Sequence, residues 1–354
     1  MQYAALSDSR CLTETFHTVL RQQRNIVLQA GSLRNHRADF ATSVCAGLSK
    51  CPKRLECRFL YDARGSELYE EICVQPEYYP TRTEAAILRR NARTISELTG
   101  PCHLIELGSG SSSKTDYLLA AYQGRNRPLC YTPIDISAAA LKMAGRAILH
   151  KRPGVQVVGI HGTYRDSFAL LRCASPLLLI FLGSTIGNFN PKEQQAFWLE
   201  IAASLQAGDY FLLGIDLVKD SGILEAAYND AAGVTAAFTK NYFARINREL
   251  GSSLNLEDIE HVAFYNEEQH RIEIYAEFRV PQTLEIVPAG RIFSIEGGER
   301  ILVEISTKFH LAAMQQTMHD HGLRTVATFT DENEWFALLL LRKGEANFSA
   351  GSGK

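Results

Sequence analysis

The chain lacks a surplus of charge of either sign and lacks any long apolar run. Its 354 residues include 37 lysines and arginines against 39 aspartates and glutamates, for a formal net charge of -2. Proteins that grip nucleic acid or an anionic membrane usually carry a basic face, and a membrane-spanning helix needs roughly 20 apolar residues. We therefore expect neither a nucleic-acid partner nor a membrane partner.

The chain also lacks paired cysteines. Its 8 cysteines form no CxxC motif and no spacing typical of a zinc site. The opening MQYAALSDSR is polar and has no apolar core of the kind found in secretory leaders. We therefore expect reduced thiols, no bound metal and a cytoplasmic protein that acts as a monomer.

Short apolar runs alternate regularly with helical stretches over residues 101–218. Five such runs, from CHLIEL to DYFLLGIDL, predict parallel strands covered by helices on both faces. Downstream, HVAFYNEEQHRIEIYAEFRV alternates about a polar turn and predicts an antiparallel hairpin. The last two apolar runs, in GLRTVATFTDENEWFALLLLRK, are expected to complete the sheet.

This pattern predicts an α/β chain with two interleaved domains. The expected sheet domain consists of residues 82–218 and 309–344. The expected second, α+β domain consists of residues 31–81 and 219–308. Residues 1–30 and 345–354 are polar and mixed, so we expect loosely ordered termini there.

A glycine turn in ELGSGSSSKT leaves the first of these strands. Gly108 and Gly110 open the following helix, so backbone N–H groups at the turn can face a ligand. A dinucleotide-binding turn needs a third glycine, and Ser113 stands there instead. The turn alone is therefore compatible with a nucleoside ligand, or with a tight connection that binds nothing.

Two charged residues sharpen the prediction. Asp135 ends the next strand, where a carboxylate can accept from both ribose hydroxyls of a nucleoside or can cap the next helix. Lys114 lies in the expected first helical turn, where the helix dipole disfavours a cation, so a ligand carboxylate would explain it. A ribose, an amino-acid carboxylate and no phosphate together describe S-adenosylmethionine.

The next two strand ends carry further candidates. Thr163 and Tyr164 follow the third strand, where such sheets read the adenine ring, although a loop pair without function is the alternative. The buried fourth strand ends in GSTIGNFNP, at the position where substrate meets cofactor. Its Asn188 offers an amide donor and acceptor, or it satisfies its own backbone.

Six blocks of the chain carry a family resemblance: FLYDARGSELYEEI, PEYYPTRTEAAIL, ELGSGSSSKT, FLGSTIGNF, AYNDAAGVTAAF and EISTKF. They resemble the histidine-specific, S-adenosylmethionine-dependent Nα-methyltransferases of ergothioneine biosynthesis, a family shared with the fungal dimethylallyltryptophan N-methyltransferases. The blocks run in family order over most of the chain. The resemblance implies a class I Rossmann-type methyltransferase sheet with a second, substrate-binding domain built from non-contiguous segments.

The resemblance also implies site residues. The implied cofactor-binding residues are Gly108, Ser109, Lys114, Asp135, Thr163, Tyr164 and Gly183. The implied substrate-binding residues are Tyr78, Asn188, Tyr228, Glu304, Ser306 and Ile274, with Tyr78, Asn188 and Tyr228 as the catalytic group. The chain departs from the family where Thr163 and Tyr164 replace the usual Asp and Phe, and where Ile274 replaces a typical Met.

The implied substrate is L-histidine and the implied product its trimethylated betaine, hercynine. Asn188 and Tyr228 are suited to hold the α-carboxylate, and Tyr78 to accept from the amine or to order a water. Glu304 and Ser306 are two apart on a strand and share a face, so they can address the two nitrogens of imidazole. Another aromatic amino acid as substrate, a non-catalytic cofactor-binding protein and an NAD-linked oxidoreductase are the alternatives; Ser113 disfavours the last.

Overall fold

The structure, a computed structural model, describes residues 1–5, 9–30, 36–124 and 128–345. Its strands are β1 (Gln2–Ala5), β2 (Ile26–Gln29), β3 (His103–Leu107), β4 (Leu129–Asp135), β5 (Val155–His161), β6 (Leu177–Phe181), β7 (Tyr210–Asp216), β8 (Ile259–Asn266), β9 (Arg271–Phe278), β10 (Gln282–Ile286), β11 (Arg291–Ile295), β12 (Arg300–Thr307), β13 (Leu323–Thr330) and β14 (Phe336–Lys343).

Its α-helices are α1 (Ser9–Arg21), α2 (His36–Leu48), α3 (Ala63–Cys73), α4 (Tyr79–Thr99), α5 (Asp116–Tyr122), α6 (Ala138–Lys151), α7 (Tyr164–Ala174), α8 (Pro191–Ser204), α9 (Ser221–Ala226), α10 (Val234–Leu250) and α11 (Leu311–Asp320). Four described 3-10 helices complete the set, at Cys57–Leu60, Thr185–Asn188, Leu256–Asp258 and Val287–Ala289.

Nine strands form one sheet in the order β1-β2-β5-β4-β3-β6-β7-β14-β13. The strands from β1 to β7 run parallel, whereas β14 is antiparallel to both β7 and β13. The strand order reverses between β3 and β6, and ligands of open parallel sheets bind at such a reversal, beyond the carboxyl ends of the strands. The expected parallel sheet, completed by the last two strands, is confirmed.

Alternate side chains of each central strand enter opposite cores. On one face, Ile105 of β3 and Leu179 of β6 join a cluster with apolar residues of α1, α7, α8 and α11. On the other face, Leu104 and Leu178 join a cluster with residues of α4, α5 and α6. Burial on both faces explains why these strands read as continuous apolar runs.

A third core lies outside the large sheet. It gathers buried residues between Phe40 and Tyr79 with buried residues between Leu224 and Val303. The three-stranded antiparallel sheet β12-β9-β8 and the hairpin β10-β11 contribute to it. The pairing of β8 with β9 confirms the expected hairpin. The segment between β2 and β3 and the segment between β7 and β13 thus share one core.

The N-terminal segment differs from the expectation of a loosely ordered terminus. β1 pairs with β2, and β2 pairs with β5, so both strands extend the large sheet. Leu12, Phe16 and Val19 of α1 are buried against the same sheet. The prediction for residues 1–30 is therefore wrong for the described part, because two four-residue strands are too short to show a period. The expectation for the tail covers residues 345–354, of which 346–354 lie outside the described residues.

Within the described ranges no helix is both long enough and apolar enough to cross a membrane. The eight cysteines, all within the described ranges, form no disulfide bond. Over the same ranges, no group of three histidine, cysteine, aspartate or glutamate side chains could hold a metal ion.

Candidate active site

The glycine turn after β3 is held by the strand beside it and by a buried acid beneath it. Gly108 N donates to the carbonyl oxygen of Ile134 at 2.8 Å, with Gly108 in the left-handed region at φ 66°. Below the turn, the Glu106 carboxylate accepts from the Thr115 hydroxyl at 2.6 Å and from the Tyr131 hydroxyl. Burial raises the pKa of Glu106 to about 7. These contacts fix the turn, so its backbone is preformed.

Lys114 lies in the turn before α5, not in the first helical turn. Its ammonium contacts the carboxylate of Glu84, a fully buried residue of α4. The same carboxylate accepts from Gly183 N at 2.8 and 3.0 Å. Burial opposes the charge on Lys114, but Glu84 outweighs it, so the Lys114 pKa is raised. Glu84 therefore joins the turn after β3 to the end of β6.

Asp135 uses both carboxylate oxygens within the protein. It accepts from Gly110 N at 2.8 Å and from Ser137 N at 2.8 Å. The cap of α6 is the Ser137 side chain, which accepts from Ala140 N, so the alternative that Asp135 caps this helix is wrong. Burial raises the pKa of Asp135, partly offset by those backbone donors. The carboxylate is thereby fixed at the carboxyl end of β4, beside the glycine turn.

The residues after β5 are arranged unequally. The Thr163 hydroxyl donates to Asp166 at 2.7 Å, and Thr163 N donates to the same oxygen, which forms the capping box of α7. The Tyr164 ring packs on Phe181 with ring centroids 5.4 Å apart. A Cβ on Gly108 would lie 2.9 Å from the Tyr164 hydroxyl. Tyr164 therefore borders the glycine turn, whereas the Thr163 hydroxyl serves the helix.

The residues around this turn fit the expected cofactor on one further observation. The Ser109 side chain is buried, at 7% exposure, and its hydroxyl oxygen has no hydrogen-bond partner. Buried hydroxyls are normally paired, because an unpaired one loses its hydration without return. An unpaired hydroxyl next to Gly108 in the turn suits a ligand with polar atoms, such as an amino-acid carboxylate.

The substrate-side candidates meet at β12 and the end of β6. Asn188 ends the 3-10 helix Thr185–Asn188, and its amide nitrogen donates to Glu304 at 3.1 Å. The Ser306 and Tyr228 hydroxyl oxygens are 2.8 Å apart. A Cβ on Gly187 would lie 2.8 Å from the carbonyl oxygen of Thr307, so only a glycine lets this 3-10 helix contact β12 so closely.

Glu304 lies in an unusual setting for a carboxylate. Burial raises its pKa to about 7, although Lys308 and the Asn188 amide act in the opposite direction. Ile274 stands directly opposite Glu304 in the β9–β12 pairing, and directly opposed residues share a face of the sheet. Ile274 is itself buried. It therefore forms an apolar wall beside the carboxylate.

The aromatic candidates complete this cluster. Tyr78 precedes α4, and its ring meets that of Tyr228 edge-on, with centroids 6.0 Å apart. Burial raises the pKa of Tyr78 well above its usual value. Burial also raises that of Tyr228, although Lys308 opposes the rise. Both side chains are consequently neutral phenols.

Charged residues behind the cluster were not predicted from sequence. Asp216, at the end of β7, accepts from Lys308 at 2.9 Å, from Lys219 at 2.6 Å and from the Tyr79 hydroxyl at 2.8 Å. Lys308 also donates to Tyr228 and to Ser306. Two ammonium groups thus share one carboxylate in a buried space.

The structure therefore groups the expected residues into two neighbouring sets. The end of β6 links them, because Gly183 contacts Glu84 on one side and Asn188 contacts Glu304 on the other. Glu84, Asp216, Lys219 and Lys308 are the additions. A signal existed for Lys308, since it follows Glu304 and Ser306 at the same two-residue spacing. None existed for Glu84, which resembles a solvent-facing acid of an amphipathic helix.

Comparison with known proteins gives consistent matches. The family described as "Histidine-specific methyltransferase, SAM-dependent" matches residues 40–343. The histidine N-alpha-methyltransferase of Mycolicibacterium smegmatis is 41% identical over 297 residues, which are 84% of this chain and 92% of that protein. The corresponding enzyme of Mycobacterium tuberculosis is 36% identical over 318 residues, covering 88% and 99%. The L-tryptophan methyltransferase of Psilocybe serbica is 29% identical over 334 residues, covering 85% and 92%.

Proposed function

This chain belongs to the histidine-specific, S-adenosylmethionine-dependent methyltransferases, and from that premise we propose that it methylates the α-amino nitrogen of L-histidine three times. The product would be the trimethylated betaine hercynine, the first intermediate of ergothioneine biosynthesis. The single observation that carries the choice of histidine is the pair formed by Glu304 and Ser306 on one face of β12.

Ring recognition follows from what these two side chains can exchange with a ligand. Glu304 can accept from one ring N–H, and the Ser306 hydroxyl can reach a second ring nitrogen. Indole has one N–H and no second polar atom, so it would add no partner to Ser306 beyond Tyr228 and Lys308. A hydroxyl hydrogen would then stay unpaired, and an unpaired buried polar group costs about 1–3 kcal/mol. The pair therefore favours imidazole over indole.

Gly108, Ser109, Lys114, Asp135, Tyr164 and Gly183 are the residues that would hold S-adenosylmethionine, with Thr163 acting through the cap of α7. When bound, this cofactor supplies a methyl group on a positively charged sulfur, activated for in-line displacement. The protein's task is then to place the substrate amine behind that methyl with its lone pair exposed.

Substrate positioning falls to the cluster around Asn188. The buried cations Lys308 and Lys219 share Asp216 behind Tyr228 and Asn188, and their positive charge suits a substrate carboxylate held by the Asn188 amide. Tyr78 is a neutral phenol, so it can accept a hydrogen bond from the amine but is not a phenolate base. The amine proton would therefore leave to water that Tyr78 orders.

Titration calorimetry tests the proposal directly. With S-adenosylhomocysteine present, we expect L-histidine to release heat and L-tryptophan to bind at least about tenfold more weakly, from the unpaired-group cost above. With S-adenosylmethionine, mass spectrometry should find a histidine product that has gained three methyl groups. No heat with histidine, combined with heat for tryptophan, would instead support an N-methyltransferase for another aromatic amino acid. Heat without any methylated product would support a non-catalytic binding protein.

Glu304→Ala offers a residue-level test of the same site. It should remove the preference for histidine while leaving the affinity for S-adenosylhomocysteine within about twofold, because Glu304 contacts Asn188 and not the glycine turn. Equal loss of both affinities would contradict the assignment of Glu304 to the ring.

Three further features belong to the proposal. The protein would act as a monomer and in the cytoplasm, and its free cysteines agree with a reducing compartment. The domain limits at residues 82, 219 and 309 stay predictions, which the division of the buried clusters supports.

A further inference from the structure

Lys308 is buried at the back of the ring-binding face. The residue is 2% exposed, and its ammonium donates to Asp216 at 2.9 Å, to the Tyr228 hydroxyl at 2.9 Å and to the Ser306 hydroxyl at 2.8 Å. Those three contacts use all three N–H donors of the ammonium. Lys308 is therefore held in one orientation and has no donor left for a ligand.

The direction of these hydrogen bonds limits what the two hydroxyls can do. An ammonium has no acceptor, so both Tyr228 and Ser306 must accept from Lys308. The two hydroxyl oxygens are also 2.8 Å apart, and one hydroxyl proton lies between them. A single hydroxyl proton therefore remains for a ligand.

The hydroxyl proton that remains available to a ligand is that of Ser306, because Tyr228 is the stronger donor of the two. A phenol is a stronger hydrogen-bond donor than an aliphatic alcohol, since its pKa is near 10. Tyr228 then donates to Ser306, and Ser306, which already accepts from Tyr228 and Lys308, turns its own proton outward. A ring nitrogen that meets Ser306 must consequently carry a lone pair.

We propose that Lys308 is a positioning residue that makes this pocket select the neutral form of the imidazole ring and reject the imidazolium. The inference rests on the proposed function, because it assumes that the ring of histidine lies against Glu304 and Ser306. In the imidazolium both ring nitrogens carry protons, so one N–H would face the Ser306 donor and the buried ammonium behind it.

Several titratable or charged groups face Lys308 and must be controlled in any test of pH dependence. They come from α4, β7 and the residues after it, the segment after α9, β8 and β12: Tyr79, Asp216, Lys219, Tyr228, Tyr265 and Glu304. A ligand that meets the same groups but does not itself change charge provides that control.

The test compares L-histidine with β-(1,2,4-triazol-3-yl)-L-alanine, whose similar ring has an N–H and lone-pair nitrogens but stays uncharged between pH 5.5 and 8. Calorimetry with S-adenosylhomocysteine gives the dissociation constants of both ligands, and their ratio cancels the titration of protein groups that act equally on the two ligands. In the unmodified protein, the dissociation constant of histidine divided by that of the triazole should rise about tenfold from pH 8 to pH 5.5. The reason is that the neutral imidazole, with a pKa near 6.5, becomes scarce over this range.

Two variants separate positioning from structure. Lys308→Arg keeps the charge and should keep the rise of about tenfold. Lys308→Met removes the charge and frees the Ser306 oxygen to accept from an imidazolium N–H. The rise of the ratio between pH 8 and pH 5.5 should therefore shrink to less than about threefold. Asp216 retains Lys219 and Tyr79 as partners in that variant, which favours folding; Lys308→Gln serves as a second uncharged variant if Lys308→Met does not fold.

The inference would be overturned if an uncharged variant bound both ligands equally more weakly and still showed the rise of about tenfold in the ratio of dissociation constants. Lys308 would then have only a structural role. Failure of the proposed function would look different, since histidine would then give no heat with the unmodified protein at any pH.

Discussion

The glycine turn after β3 and the cluster around Asp216 are both buried and charged, but they balance charge differently. At the turn, Lys114 meets Glu84, and Asp135 accepts from backbone N–H groups. An uncharged hydroxyl, that of Ser109, lacks a partner. In the cluster, Lys219 and Lys308 share Asp216. The turn thus needs a hydrogen-bonding ligand, whereas the cluster is suited to a ligand with negative charge.

This difference predicts that the cluster and the turn affect different properties, stability and cofactor affinity. The turn can be preformed without its ligand, because the N–H groups of Gly108, Ser109 and Gly110 and the Glu106 carboxylate are already paired. The cluster buries the ammonium groups of Lys219 and Lys308 together with Asp216 and Glu304, at a cost in desolvation that a substrate carboxylate would reduce. We therefore expect substitutions in the cluster to change stability most, and substitutions at the turn to change cofactor affinity at small cost in stability.

Asp216→Asn should have the largest effect. It leaves two buried ammonium groups without a carboxylate, and breaking a buried ion pair costs about 3–5 kcal/mol. The free energy of unfolding from urea denaturation measures the loss. Glu332→Gln is the control, because its partner Arg90 and Glu332 itself are exposed, and such pairs contribute about 0–1 kcal/mol. Similar losses of unfolding free energy in both variants would show that the buried charges of the cluster contribute no more to stability than an exposed ion pair.

Gly214→Ala should have the next largest effect on stability, and it acts through Glu84 on the glycine turn. A Cβ on Gly214 would lie 2.1 Å from a Glu84 carboxylate oxygen, so Glu84 would have to leave Lys114 and Gly183. Overpacking of this kind costs about 1–3 kcal/mol, and S-adenosylhomocysteine affinity should fall as well. Gly154→Ala is the matched control, since nothing lies within 4 Å of its Cβ. Unchanged cofactor affinity in Gly214→Ala would separate Glu84 from the cofactor site.

Ser109→Ala should separate affinity from stability. Removing an unpaired buried hydroxyl should leave the free energy of unfolding unchanged or slightly higher, while the lost hydrogen bond to a ligand costs about 1 kcal/mol, or about fivefold in affinity for S-adenosylhomocysteine. Ser43→Ala removes another unpaired buried hydroxyl, in α2, and should leave that affinity unchanged. Equal affinity in the two variants would remove Ser109 from the cofactor site.

Much of the large sheet could be predicted from the sequence, because each central strand is buried on both faces and appears as an apolar run such as LLLIF. β1 and β2 could not, since four residues carry too little periodicity and their place depends on pairing with β5. The carboxyl ends of the parallel strands then located Asp135 and Asn188 without any knowledge of contacts.

The partners of the site residues were harder to predict, because they come from distant parts of the chain. Glu84 and Gly183 are 99 positions apart, and Tyr79 and Asp216 are 137 apart. Thr163 shows the reverse difficulty: its position after β5 predicted a ligand contact, but Asp166, three residues later, takes its hydroxyl within the capping box. For Thr163, a hydrogen bond to a nearby residue therefore determines what the hydroxyl contacts.

Thr163→Ala should have the smallest effect on the cofactor and tests that point. Loss of a helix cap costs about 1 kcal/mol of stability, whereas the affinity for S-adenosylhomocysteine should stay within about twofold, because the hydroxyl already donates to Asp166. Asn190→Ala removes the equivalent cap of α8 and should give a similar loss of stability with no change in affinity. A Thr163→Ala protein of unchanged stability but with affinity reduced more than about fivefold would reverse the interpretation. The hydroxyl would then leave Asp166 for the ligand, and the residues after β5 would belong with Ser109 as direct contacts of the cofactor.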